Sequence, residues 1–235
     1  MTYTYLSLVK PLYVLYLLVS MAFLSNTYAQ TAPSANEVSN YVGLHLAAHK
    51  GDIEAVNRLI QSGADLEARD GSGRTPLLVA GFASHDPIVK LLAEAGAEMN
   101  AKENRAYDII TIAAVANDVE MLNLVLELGA SAGNTTSPYD GTALIAAAHL
   151  GHHEIVDSLI KNNAPLDHIN NLNWTALIEV VILGDGGKSH TKTLELLLKA
   201  GADKTIADGQ GITPFEHARS RGFQAMIDLL TDGAD

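Results

Sequence analysis

The sequence predicts an all-α solenoid of about six stacked helix-turn-helix units with short β-turn tips, preceded by a signal peptide. Three observations carry that expectation. A Gly-Ala pair recurs at Gly63, Gly96, Gly129, Gly201 and Gly233, with Asn163–Ala164 in the same role, at spacings of 33, 33, 34, 38 and 32 residues. A second marker keeps phase with it: Thr75–Pro76–Leu77, Thr142–Ala143–Leu144, Thr175–Ala176–Leu177 and Thr213–Pro214–Phe215 each open a helical pattern. The 235 residues are 48% hydrophobic yet hold only 4 Phe and 1 Trp, an aliphatic mix unlike that of a sandwich or barrel core.

Residues 1–29 read as an export signal. Lys10 and the α-amino group supply positive charge, residues 11–24 form an apolar run, and the small residues Thr27 and Ala29 place cleavage after Ala29. A membrane-spanning helix needs about 20 apolar residues, more than this run provides. The chain has no Cys, so no disulfide supports it in an oxidising compartment and no lipoprotein attachment site exists. Export without disulfides fits a bacterial periplasm, with secretion as the alternative. Residues 30–39 read as a flexible lead-in. Residues 40–235 read as the repeat domain, with units at about 40–70, 71–103, 104–136, 137–170, 171–208 and 209–235.

Each unit reads as turn, short helix, short loop, longer helix and Gly-terminated loop. In the second unit Thr75 caps the first turn, and Pro76 sits where a missing N–H costs nothing. Small residues follow where helices approach closely: Ala47–Ala48, Ala80–Gly81, Ala113–Ala114 and Ala147–Ala148. Ile88, Val89, Leu91 and Leu92 give the second helix an apolar face, and Leu124 is expected in the core of a central outer helix. Gly96 suits the left-handed conformation that ends such a helix. The third unit has Asp108–Ile109–Ile110 at the marker position, so its turn is expected to be less regular. The fifth unit is longer than its neighbours, and the extra length over residues 183–190 reads as an enlarged interhelical loop.

Gly73–Arg74–Thr75–Pro76–Leu77 and Gly63–Ala64–Asp65 resemble the ankyrin repeat; the resemblance covers about Asn40 to Asp235, and the chain is similar to exported bacterial ankyrin-repeat proteins. The resemblance implies a concave groove, lined by turn tips and the outer edge of the short helices, that takes a partner protein. By register that edge carries Leu46, His49 and Lys50, then Val79 and Phe82, then Ile112 and Val115. Ala146, His149 and Leu150 follow, then Glu179, Ile182 and Leu183, and finally His217, Ser220 and Arg221. Its centre is apolar where a solvated groove is normally polar. Arg74, Tyr107 and Trp174 precede the caps and belong to the types enriched at binding hot spots. The expected partner-binding residues are therefore Arg74, Val79, Phe82, Tyr107, Ile112, Val115, His149, Leu150, Trp174, Ile182 and Leu183.

Formal charge is −12, which argues against nucleic acid or an anionic lipid surface as partner; no membrane association beyond export is expected, and the chain is expected to be a monomer. Residues 106–160 contain no Lys or Arg beside seven acids, which would steer a basic protein surface towards the middle units. Catalysis is not expected. There is no Gly-x-Ser-x-Gly and no thiol, and no motif pairs two carboxylates. Gly187–Lys188–Ser189 lacks the Gly that a phosphate loop needs at position 182, which is Ile. No cofactor or metal is expected: His152 and His153 start an outer helix, whereas His149 lies near the groove. The leading function is thus a non-catalytic protein-binding scaffold. The alternatives are an immunity or inhibitor protein for an envelope toxin or enzyme, and a haem or metal carrier supporting an oxidative-stress enzyme.

Overall fold

A computed structural model of the chain describes residues 30–231. The expected export signal and its cleavage position lie outside the described residues. Within them the backbone forms thirteen helices and one two-residue antiparallel pairing, Thr135–Thr136 (β1) with Gly141–Thr142 (β2). A short helix, α1 (Ala35–Ser39), precedes six pairs. The inner helices are α2 (Gly43–Lys50), α4 (Pro76–Phe82), α6 (Ile109–Ala116), α8 (Ala143–Leu150), α10 (Ala176–Ile182) and α12 (Pro214–Arg221). The outer helices are α3 (Ile53–Gln61), α5 (Asp86–Glu94), α7 (Val119–Glu127), α9 (His153–Lys161), α11 (Lys188–Lys199) and α13 (Gln224–Thr231). Each inner helix packs on its own outer helix and on the next inner helix, and the outer helices stack in the same order.

The repeated markers have repeated physical causes. Thr75, Thr142, Thr175 and Thr213 each accept the backbone N–H three residues on, closing the open end of an inner helix. Asp108 does the same in the third unit, where its Oδ1 accepts from the Thr111 amide at 2.9 Å. Before each cap, a polar residue folds the turn tip by accepting the amides two and four positions on. These residues are Asp70, Glu103, Ser137, Asn170 and Asp208. The third unit therefore keeps the common turn, contrary to expectation, because a carboxylate caps as well as a hydroxyl and Glu103 replaces the shorter acceptor. The Gly-Ala marker sits where an outer helix ends with positive φ, +97° at Gly96; Asn163 takes the same place at +62°.

Stacking supplies the core. Leu77, Leu78, Ile109, Ile110, Leu144 and Leu177 of the inner helices meet Ile88, Leu92, Met121, Leu122, Ile155 and Leu159 of the outer ones, all fully buried in one continuous cluster. No unit has a second apolar layer of its own, so each hides its face only against its neighbours.

Three expectations are corrected. Residues 30–39 are not wholly a flexible lead-in. Ser34 and Glu37 form a reciprocal capping box around α1. Glu37 Oε1 also accepts from Ser72 Oγ at 2.7 Å and Arg74 Nη1 at 2.9 Å, which ties α1 to the second unit. The fifth unit's extra length is only partly loop. Lys188, Ser189 and His190 are helical and extend α11 to 12 residues, where the other outer helices have 8 or 9. Leu124 is half-buried rather than central, since the helical period turns Met121, Leu122 and Val125 inward.

Candidate protein-binding groove

Position along the inner helix decides what a side chain meets. Seven residues after the cap, side chains stand at the open end of the helix: Phe82, Val115 and Ile182 are half-buried, and His149 is exposed. Leu150 beside His149 is 39% exposed, and Leu183 is half-buried. These six residues lie at the C-terminal ends of four consecutive inner helices, so the structure brings them into one row.

Four residues after the cap, the same helices face one another. Val79 is fully buried and Ile112 is 2% exposed; Ile112 packs towards Gly81, where an added Cβ would lie 3.8 Å from Cγ2. Both were expected on the groove surface, and the structure places them inside the stack. Residues one helical turn apart share a face, which is why register alone grouped them. The sequence signal that separates them is the small residue Gly81, which lets the adjacent helix approach.

The turn residues divide as well. Arg74 is 4% exposed and holds Glu37 Oε1 at 2.9 Å and Asp70 Oδ2 at 3.0 Å, with its guanidinium 5.7 Å from the Phe82 ring centroid. Tyr41 donates to Asp70 Oδ2 at 2.6 Å. Arg74 is thus an internal clamp rather than a free hot spot. Tyr107 is buried too, and its amide closes the Glu103 turn. Trp174 stays half-buried at the tip of the fifth unit.

The clamp's electrostatics follow from its bonds. Hydrogen bonds from Ser34 and Ser72, with Arg74 adding to them, bring the Glu37 carboxyl down to about 2. Burial works against ionisation of Asp70, yet the Tyr41 hydroxyl and Arg74 hold it below the usual carboxylate range. Burial beside Asp70 raises the Tyr41 phenol.

The row also borders a carboxyl whose burial the sequence did not reveal. Glu179, four residues after the Thr175 cap, is 5% exposed. Asn170 Nδ2 donates to its Oε1 at 2.9 Å, and its Oε2 lies 3.5 Å from His149 Nδ1. Burial lifts its carboxyl to about 8, against the opposing effect of the Asn170 bond.

Histidines elsewhere serve the stacking. Ring nitrogens of His85, His152 and His190 bond the carbonyls of His49, Ala114 and His149, each joining a unit to the inner helix before it. Among the described residues, no group of three or more His, Asp or Glu converges as a metal site.

Comparison with known proteins agrees with this geometry. The family described as Ankyrin repeats (3 copies) matches residues 16–103, 44–135 and 110–208. A putative ankyrin repeat protein, YahD, of Escherichia coli (strain K12) is 31% identical over 186 residues, covering 79% of this chain and 92% of that one. The solved ankyrin repeat domain from Acinetobacter baumannii AYE superposes with a TM-score of 0.76 at 41% identity, covering 80% of this chain and 95% of that one. The ankyrin repeat domain of Bcl-3, a member of the IkappaB family, gives a TM-score of 0.75 at 25% identity, over 83% of this chain and 88% of that one. The chain belongs to the ankyrin-repeat family.

Proposed function

We propose that this chain is a non-catalytic scaffold that binds a partner protein in a bacterial periplasm through the row Phe82, Val115, His149, Leu150, Ile182 and Leu183, with Trp174 at its edge. Ankyrin repeats are protein–protein interaction modules. The observation that carries the reading is the row itself. Its side chains remain half-buried or exposed on four successive inner helices, while Val79 and Ile112, one turn back on the first two of them, are already buried between neighbouring helices. Apolar surface left over after the core is closed needs another reason to be apolar, and a partner supplies one.

Charge supports a basic partner. Residues 106–160 hold no Lys or Arg, and Asp86 lies near Asp118 and Glu120. Burial first, then those two neighbours, raise the Asp86 carboxyl. The periplasmic setting rests on the export pattern of residues 1–29 and the lack of Cys.

The test is a periplasmic pull-down with the wild type beside a Phe82→Ala/Trp174→Ala variant of equal thermal stability. The reading expects a protein retained by the wild type and lost by the variant, and mass spectrometry of the recovered chain should find Gln30 at its amino terminus. Equal recovery of every protein by both chains would overturn the groove. A mature chain that keeps residues 1–29 would overturn the export route.

A further inference from the structure

We propose that Glu179 is the seat for a cationic side chain, guanidinium or ammonium, carried by the partner that the groove binds. The inference rests on the groove reading and narrows it to one anchoring interaction between the fourth and fifth units.

Other carboxylates buried along this edge are better served from within. In the second unit Asp70 has the Arg74 guanidinium at 3.0 Å and the Tyr41 hydroxyl at 2.6 Å. In the sixth, Asp208 has His217 Nε2 at 2.8 Å. In the third, Asp108 takes three donors: the Thr111 amide, the Thr111 hydroxyl and Asn134 Nδ2. Glu103 takes the amides of Arg105 and Tyr107.

Glu179 is the exception. Among the described residues its one hydrogen-bond donor is Asn170 Nδ2, and its second oxygen meets only the His149 ring at 3.5 Å. The position that holds Arg74 in the second unit is Trp174 in the fifth, so the turn brings no cation. His149 is a poor substitute: desolvation, then the neighbouring His190 and His152, lower its proton affinity. His190 is itself committed to Asp185 Oδ1 and the His149 carbonyl, and His217 on the next inner helix to Asp208.

A carboxyl taken out of water without a cation is unfavourable to ionise, and an arriving guanidinium removes that penalty by pairing with it. The approach lies past His149, whose side chain is 46% exposed at the C-terminal end of α8 and whose Nδ1 is 3.5 Å from Oε2; Leu150, Ile182 and Leu183, at the ends of the same two inner helices, offer exposed or half-buried apolar surface for the methylenes of an Arg or Lys. The acidic middle units add long-range attraction for the same charge.

The probe is N-acetyl-arginine amide, with N-acetyl-citrulline amide as its neutral isostere. Side-chain carboxyl NMR of the full mature chain follows the Glu179 titration while backbone amide shifts report on Ile182 and Leu183. The proposal expects arginine amide to move the Glu179 titration down from about 8 and to shift both amides, with citrulline amide at least about tenfold weaker. Glu179→Gln keeps an oxygen for the Asn170 bond, so it should stay folded by circular dichroism and lose the arginine response. If the Glu179 titration is unmoved by arginine amide, or the variant or the citrulline probe responds equally, the seat is refuted. That outcome leaves the pull-down to decide the groove separately, since no natural partner enters this measurement.

Discussion

Leu122 and Leu124 lie two residues apart on α7, and the stacked geometry gives them different energies. Leu122 is fully buried where α7 meets α5, α6 and α9. Leu124 is half-buried against the edge of the same cluster. Removing the Leu122 side chain beyond Cβ loses the transfer free energy of its burial, about 1.5–3 kcal/mol. It also leaves a cavity, and three packed helices resist collapse into it. Leu122→Ala should therefore cost about 3–4 kcal/mol, in the middle of the range for such substitutions. Leu124→Ala opens no enclosed cavity and should cost about 1–1.5 kcal/mol. Urea unfolding followed by circular dichroism, with the denaturant slope compared among all three chains, measures both. Equal costs, or a cost for Leu122→Ala below about 1 kcal/mol, would refute the assignment of faces on α7 and with it the register of the stack.

Further substitutions test the other contacts. Arg74→Met leaves Asp70 buried without its cation and should lower stability by about 3 kcal/mol, read from urea unfolding. The pH dependence of stability should carry two opposite signatures. Glu37 has its folded value depressed to about 2, so its contribution is present above the unfolded value near 4.5 and is lost as pH falls towards 2; Glu37→Gln should flatten that acid limb of a thermal-melt series. Glu179 has its folded value raised to about 8. Its penalty is therefore absent below about 4.5, grows as pH rises and is complete above about 8, so Glu179→Gln should gain on the wild type across that window. Gly186→Ala places a Cβ at φ +71° and 2.5 Å from the Phe223 ring, so it should loosen the fifth unit's loop by about 1–3 kcal/mol, visible as faster amide exchange there.

The repeat was legible because its markers are local devices. A Thr cap or a Gly at positive φ acts through the chain within a few residues of itself, so its signature survives in one dimension. The turn acceptors Asp70, Glu103, Ser137, Asn170 and Asp208 obey the same rule, but four residue types perform one task, and no single letter advertises it. What stayed hidden depends on partners distant in sequence. Arg74 reads as a hot-spot residue until Glu37 and Asp70 are seen around it. Val79 and Phe82 share a helical face, and only the neighbouring inner helix covers one and leaves the other at the edge. The lead-in escaped notice although Ser34 and Glu37 have capping-box spacing, because a five-residue helix holds too little apolar pattern to be read. Glu179 reads as a groove-edge residue, yet like Val79 and Ile112 at the same position it is buried, and the packing of α8 against α10 that buries it is not announced by the fifth unit's own residues.

Hydrogen exchange on the captured complex, peptide by peptide, decides which face of the stack binds. Binding in the groove predicts new protection in peptides covering residues 79–85, 112–117, 146–151 and 179–184, with the outward faces of α5, α7 and α9 unchanged. New protection confined to those outer helices, with the inner-helix ends exchanging as in the free chain, would contradict it.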